Sequence, residues 1–166
     1  MVMVRANIRI VSALIISLSS LVVDAAELHV SWVMKDLPLN ELTISQEFIE
    51  SLVQSEIIAS TPWTQEIDSF IGPTLATLSE LFLPKFGRIS GATVSALNGY
   101  SMFVPAEDWE AHDVIVASRI NGAQFKIYDK GPFWVIYPLD EMSRPADQIV
   151  LSRMVWQVSH VEFHVE

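Results

Sequence analysis

Apolar and polar residues alternate from Glu27 to Met34, with Leu28, Val30, Trp32 and Met34 on one side. A period of two over eight residues predicts a half-buried strand. Asp36-Leu37-Pro38 reads as the break that ends it. The period then lengthens. Ser45 to Val53 places Phe48, Ile49, Leu52 and Val53 on one helical face, with Thr43 and Gln46 at capping-box spacing just upstream. Ile57 to Thr61 is β-prone and stops at Pro62-Trp63, and Asp68 to Ile71 predicts a short extended piece. Gly72-Pro73 opens a helix with proline at its first position and Leu75, Leu78, Leu81 and Phe82 turned inward, and Leu83-Pro84 ends it.

The second half is mostly strand. Ala92–Leu97 and Tyr100–Val104 flank Asn98-Gly99, and Val114–Ile120 and Gln124–Tyr128 flank Asn121-Gly122. Asn-Gly between β-prone runs predicts a two-residue type I′ hairpin, with Asn98 tolerating positive φ as its first residue. Pro105 to Trp109 predicts one helical turn. Phe133–Tyr137 is a continuous apolar run and reads as a buried strand, Asp140–Gln148 as a polar surface loop, and Met154–Val165 as a long closing strand. No repeat or internal linker interrupts the pattern. The expected class is α+β: a β-rich body with two or three short helices.

The N-terminus departs from this pattern. Arg5 and Arg9 precede an apolar run from Ile10 to Val23, and Val23-Asp24-Ala25 offers small residues where a signal peptidase reads. Charged, apolar and small-residue segments in that order predict a secretory signal peptide over residues 1–25, followed by one domain over 26–166. The apolar run is shorter than the roughly 20 residues of a spanning helix and contains four serines. Export to the periplasm or the exterior is therefore expected, with no membrane embedding after cleavage.

Charge narrows the function classes. Without residues 1–25 the chain loses Arg5, Arg9 and Asp24, leaving 8 Lys+Arg against 19 Asp+Glu and a net charge of −11. That field repels phosphate backbones, so nucleic acid is not an expected partner. The chain contains no cysteine, which excludes thiol catalysis, zinc–thiolate sites and disulfides. His160 and His164 lie four residues apart, but on a strand that spacing is roughly 13 Å, too far for one ion. No Gly-x-Ser-x-Gly elbow flanks Ser90-Gly91 and no phosphate-cradling glycine loop occurs. Neither a catalytic residue nor a metal site is assigned.

An ordered set of short motifs carries a resemblance. Ala96-Leu97-Asn98-Gly99-Tyr100, Val104-Pro105 with Asp108, Val114-Ile115-Val116-Ala117 and Asn121-Gly122 come first. Lys130-Gly131-Pro132-Phe133-Trp134-Val135-Ile136-Tyr137-Pro138 follows, and then Val155-Trp156-Gln157 with Val161-Glu162-Phe163. Thr61-Pro62-Trp63, Gly72 and Leu75–Leu81 match the loop and helix ahead of them. Together, over most of residues 44–165, they resemble the oxidoreductase molybdopterin-binding domain of sulfite-oxidase-type enzymes. The resemblance implies a sulfite-oxidase-like α+β fold.

It also implies what has changed. The enzymes' molybdenum-ligating cysteine corresponds to the neighbourhood of Ser60-Thr61, their histidine before Gly-x-Pro to Asp129, their arginine to Trp134 and their lysine to Val155. The chain is closer to a small exported subfamily without the metal ligand. A hydroxyl is a poor substitute for a soft thiolate, so molybdopterin, though possible by resemblance, is not expected as a cofactor.

Nine residues stand as candidates for a ligand cleft: Ser60, Thr61, Trp63, Asn98, Tyr100, Arg119, Asp129, Lys130 and Trp134. Lys130 and Arg119 could clamp a carboxylate, while Lys130-Gly131-Pro132 is also simply a good turn. Trp63, Tyr100 and Trp134 could line a pocket or belong to the core. The expected role is binding, of a small molecule or of a membrane-sensor or redox partner protein. The alternatives are an oxidoreductase holding molybdopterin through backbone amides, Arg119, Lys130 and Ser60 or Thr61, and a structural subunit of a redox or sensor complex.

Overall fold

The alternating segment forms strand β1, Glu27–Met34, with Leu28, Val30 and Trp32 fully buried. It pairs in parallel with the last strand, β11, Val158–Val165, setting Val30 beside Val161 and Trp32 beside Phe163. The two ends of the domain are thereby joined at the centre of one sheet. A computed structural model describes residues 26–82, 87–142 and 147–166. The expected signal segment, the helix stop at Leu83-Pro84 and positions 143–146 of the expected surface loop lie outside these residues.

Asp36-Leu37-Pro38 does not end the sheet. Lys35 and Asp36 form a tight turn with φ of 50° and 63°, and β2, Leu37–Ser45, folds back antiparallel on β1. Pro38 is tolerated because β2 is an edge strand, and the register shifts where Pro38 meets Val33. The five-stranded sheet has the order β2-β1-β11-β5-β6, where β5 is Ile89–Ala96 and β6 is Ser101–Pro105. Its inner face packs on helices α2, Leu75–Ser79, and α3, Ala106–Ala111. There the Trp32 indole donates to Ser79 O at 3.1 Å and stacks on Phe163.

Helix α1 covers only Gln46–Ser51, and of the expected apolar face Ile49 alone is fully buried. Its cap is Ser45, which accepts from Phe48 N at 3.2 Å. Thr43 belongs to β2 and bonds His29 instead, so the Thr43–Gln46 spacing is not a capping box. In α2 the cap is Thr74, and Pro73 lies one residue earlier, where its carbonyl receives Val116 N.

A second sheet holds β3, Ser55–Ser60, β4, Ile67–Gly72, β8, Arg119–Ile120, and β9, Ala123–Gln124, in that order. The expected strand Val114–Ile120 is split at Ser118. Its first part, β7, Ile115–Ala117, pairs with β10, Trp134–Ile136, and its second part joins β4. Only Ala123 and Gln124 of the return arm are strand. Around Asn121-Gly122 both residues take positive φ, 48° and 79°, as a type I′ turn requires. The Asn98-Gly99 hairpin differs. Ala96 N bonds Tyr100 O and Gly99 N bonds Ala96 O, which makes a three-residue loop in which Gly99 alone has positive φ. Asn98 uses its side chain instead, accepting from Tyr100 N at 2.9 Å.

Two further corrections fall at the C-terminal end. Gln148–Arg153 is a fourth short helix, α4, capped by Asp147 through Ile149 N and Val150 N. The expected loop hid this start because residues Asp140 to Gln148 carry no apolar period. The closing strand begins at Val158 rather than Met154, because Gln157 takes a φ of 53° and kinks the chain ahead of it.

Gly72, the last residue of β4, lies directly against the backbone of β7, which with β10 forms a separate two-stranded sheet. A Cβ at this position would lie 2.1 Å from Val116 O and 2.7 Å from Ala117 Cα. Both are backbone atoms that no rotamer change can move. Gly72→Ala is expected to lower stability by about 1–3 kcal/mol through overpacking, read as a lower urea midpoint at unchanged slope.

Candidate functional site

Five aromatic rings gather where the second sheet meets the chain before β11. Trp134 is fully buried, and its indole donates to Met154 O at 3.0 Å. Phe70, Trp63, Phe125 and Trp156 surround it edge-on at centroid distances of 5.6, 6.0, 6.1 and 6.5 Å. Trp63 also meets Trp156 at 5.4 Å. Its half-buried ring separates two clefts.

The larger cleft, of about 510 Å³, lies between the Pro62-Trp63 loop, the Ala96–Tyr100 hairpin, helix α4 and the Met154-Val155-Trp156 segment. Its polar groups are Asn98, Tyr100, Gln148 and Ser152, and none of its lining residues is charged. The outer wall is held by two ties. Tyr100 Oη donates to Ser152 O at 3.0 Å, and Arg153 Nη1 donates to Asp108 Oδ2 at 2.8 Å. The same Asp108 oxygen accepts from Tyr137 Oη at 2.6 Å. Burial first, and then the Asp108 carboxylate, hold the Tyr137 hydroxyl well above its ordinary pKa, so it stays a donor.

The smaller cleft, of about 320 Å³, opens on the other side of Trp63. Thr64, Gln65, Asp68, Ile120, Phe125, Asp129 and Lys130 line it, with Trp134 beneath its floor. Lys130 Nζ pairs with Asp129 at 3.3 Å and stands 5.6 Å from the Trp134 ring centroid.

The nine sequence candidates are thus divided. Trp63, Asn98 and Tyr100 line the larger cleft, and Trp63, Asp129, Lys130 and Trp134 the smaller. Ser60, Thr61 and Arg119 line neither. Ser60 gives its N–H and hydroxyl to the Asp140 carboxylate at 3.0 and 3.3 Å. Thr61 is buried, with its hydroxyl in a local turn beside Thr64 Oγ1 and Trp63 N. Arg119 pairs with Glu50 at 2.8 Å and donates to Gly122 O at 3.0 Å, so it does not join Lys130 in a clamp. Sequence reading missed Trp156, Leu151, Gln148 and Asp68. The first was visible as a tryptophan beside Val155. Gln148 and Leu151 belong to α4, which has no apolar period to read, and Asp68 looks in the sequence like an ordinary residue of a short extended piece.

Comparison with known proteins bears on the fold. The chain matches no family model and no curated protein sequence. Among solved structures it is similar to the sulfane dehydrogenase SoxCD from Paracoccus pantotrophus, with a TM-score of 0.56 and 13% sequence identity. The match covers 83% of this chain and 38% of that one, so this chain spans well under half of its length. The likeness supports a β-rich, sulfite-oxidase-like fold, in agreement with the ordered motifs.

Glu50 gives the Arg119 arrangement a pH signature. Burial raises its pKa, but hydrogen bonds from Arg119, Gln124 and Gln46 and the Arg119 charge outweigh burial and hold it below the ordinary carboxylate value. A depressed pKa contributes stability that is present above the unfolded value and lost as pH falls through the folded one. Thermal melts of the wild type should therefore lose stability on acidification through the carboxylate range. Glu50→Gln should be less stable at neutral pH and show a shallower acid slope.

Proposed function

We propose that this is an exported sulfite-oxidase-like domain that binds a neutral, largely apolar small molecule in the larger cleft and does not carry molybdenum chemistry. The observation that carries the reading is the lining of that cleft. It combines aromatic and aliphatic walls with a few neutral polar groups, the usual composition of a small-molecule site, and its volume falls in the usual range. An anionic ligand would meet no cation among those residues.

The donors present do not fit molybdopterin, the cofactor that the resemblance makes possible. Where a thiolate would bind the metal, Ser60 and Thr61 carry neutral hydroxyls, already engaged by Asp140 and by the local turn. Asp140 also brings a negative charge to that position. The corresponding arginine and lysine positions hold the buried Trp134 and Val155, and the histidine position holds Asp129. These residues offer neither a soft ligand nor a phosphate clamp. Export rests on the N-terminal order of charge, apolar run and small residues. Among the described residues no helix is long and apolar enough to cross a membrane.

Titration with the neutral fluorophore N-phenylnaphthylamine tests the binding reading. Saturable, one-site enhancement is expected, weakened about tenfold or more by Leu151→Asp, which puts a charge into the apolar wall. Protein purified from its native host should carry neither molybdenum nor fluorescent pterin. A stoichiometric amount of either, or probe binding that ignores Leu151→Asp, would overturn the proposal.

A further inference from the structure

We infer that the smaller cleft is a second binding site, selective for a small organic cation with an apolar body, such as an alkylammonium ion. Asp68 supplies the first argument. It occupies an inward position of β4, two residues before the buried Phe70, and is 8% exposed. Its carboxylate accepts one hydrogen bond, from Asn121 Nδ2 to Oδ1 at 2.7 Å. Among the described residues no cation lies within ion-pair distance of it. Burying a carboxylate is costly without a positive partner. Asp68 lines the cleft, so a partner can reach it from there.

The cleft walls supply the second argument. Trp63 and Phe125 flank the space and Trp134 lies beneath it, and the electron-rich faces of such rings attract cations. The protein already uses this property, since Lys130 Nζ stands over the Trp134 ring. Charge decides the sign of the ligand. Asp68 and Asp129 face the cleft against Lys130 alone, a local excess of one negative charge that a monocation neutralises. An anion would meet two carboxylates, and a neutral ligand would leave Asp68 without a positive partner.

Calorimetric titration of the whole chain with butylammonium, butanol and butyrate at constant ionic strength tests this. Butylammonium alone should bind, at one site. Asp68→Asn preserves the side-chain shape and should weaken binding about tenfold or more, the scale of a lost desolvated charge pair. Lys130→Met removes the resident ammonium while keeping its apolar stem, and should strengthen binding severalfold. If Asp68→Asn fails to fold by circular dichroism, the Lys130→Met arm decides. Absence of butylammonium binding, equal binding of butanol, or a Lys130→Met variant that binds no more tightly than wild type would each sink the inference. Leu151→Asp in the larger cleft should leave butylammonium binding intact, so the two sites stand or fall separately.

Discussion

The indole of Trp134 has no exposed surface, and its one donor is spent on Met154 O. Four other rings are arranged edge-on around it, each such contact adding about 0.5–1.5 kcal/mol beyond burial alone. Two backbone connections fix the ring in place, pairing of β10 with β7 and a bridge from Trp134 to Trp156. The family resemblance implies an arginine at this position. A guanidinium there would require an anion beside it, whereas an indole requires apolar neighbours. The resemblance therefore implies more than the loss of a contact here, since Trp134 is the hub of an aromatic cluster where a charged group would be expected.

Charge follows the same division. The sequence carries twice as many acids as bases, 20 against 10, and four of the six bases among the described residues are committed to ion pairs. Arg119 is tied to Glu50, Arg153 to Asp108, Arg88 to Glu110 and Lys130 to Asp129. A ligand phosphate would meet no cation in the larger cleft and, in the smaller, only a Lys130 already paired with Asp129, against an unfavourable overall field. Neutral and cationic molecules face no such cost.

Much of the fold was legible because local chemistry and tertiary context agree. The alternation in β1, the apolar run of β10 and the two Asn-Gly turns all mark real elements. At two points position in the sheet overrode local preference. Pro38 reads as a strand breaker but lies on an edge, where a missing N–H costs nothing. Ser118 sits inside an apolar run, yet the chain changes sheets there. Helix α4 has no buried residue and hence no hydrophobic period to read; its signals are the Asp147 cap and its contacts with the cleft. Of the residues that line the clefts, Trp63 and Lys130 were legible because their side-chain type is unusual. Asp68 was missed because a single carboxylate in a strand pattern looks like a solvated face, and only burial reveals it.

The two clefts are not mechanically independent. Trp63 contributes a wall to both, and its ring touches Trp134 on one side and Trp156 on the other. Gln157 ties their rims together through the backbone: its N–H bonds Lys130 O, its carbonyl accepts from Leu97 N, and its side-chain amide reaches Ile127 O. The left-handed φ of 53° lets one residue face both loops, and it is also what separates Trp156 from the closing strand. Trp63 is a wall common to both clefts, held by its contacts with Trp134 and Trp156. The aromatic cluster around Trp134 and Trp156 thus provides the division between the two clefts.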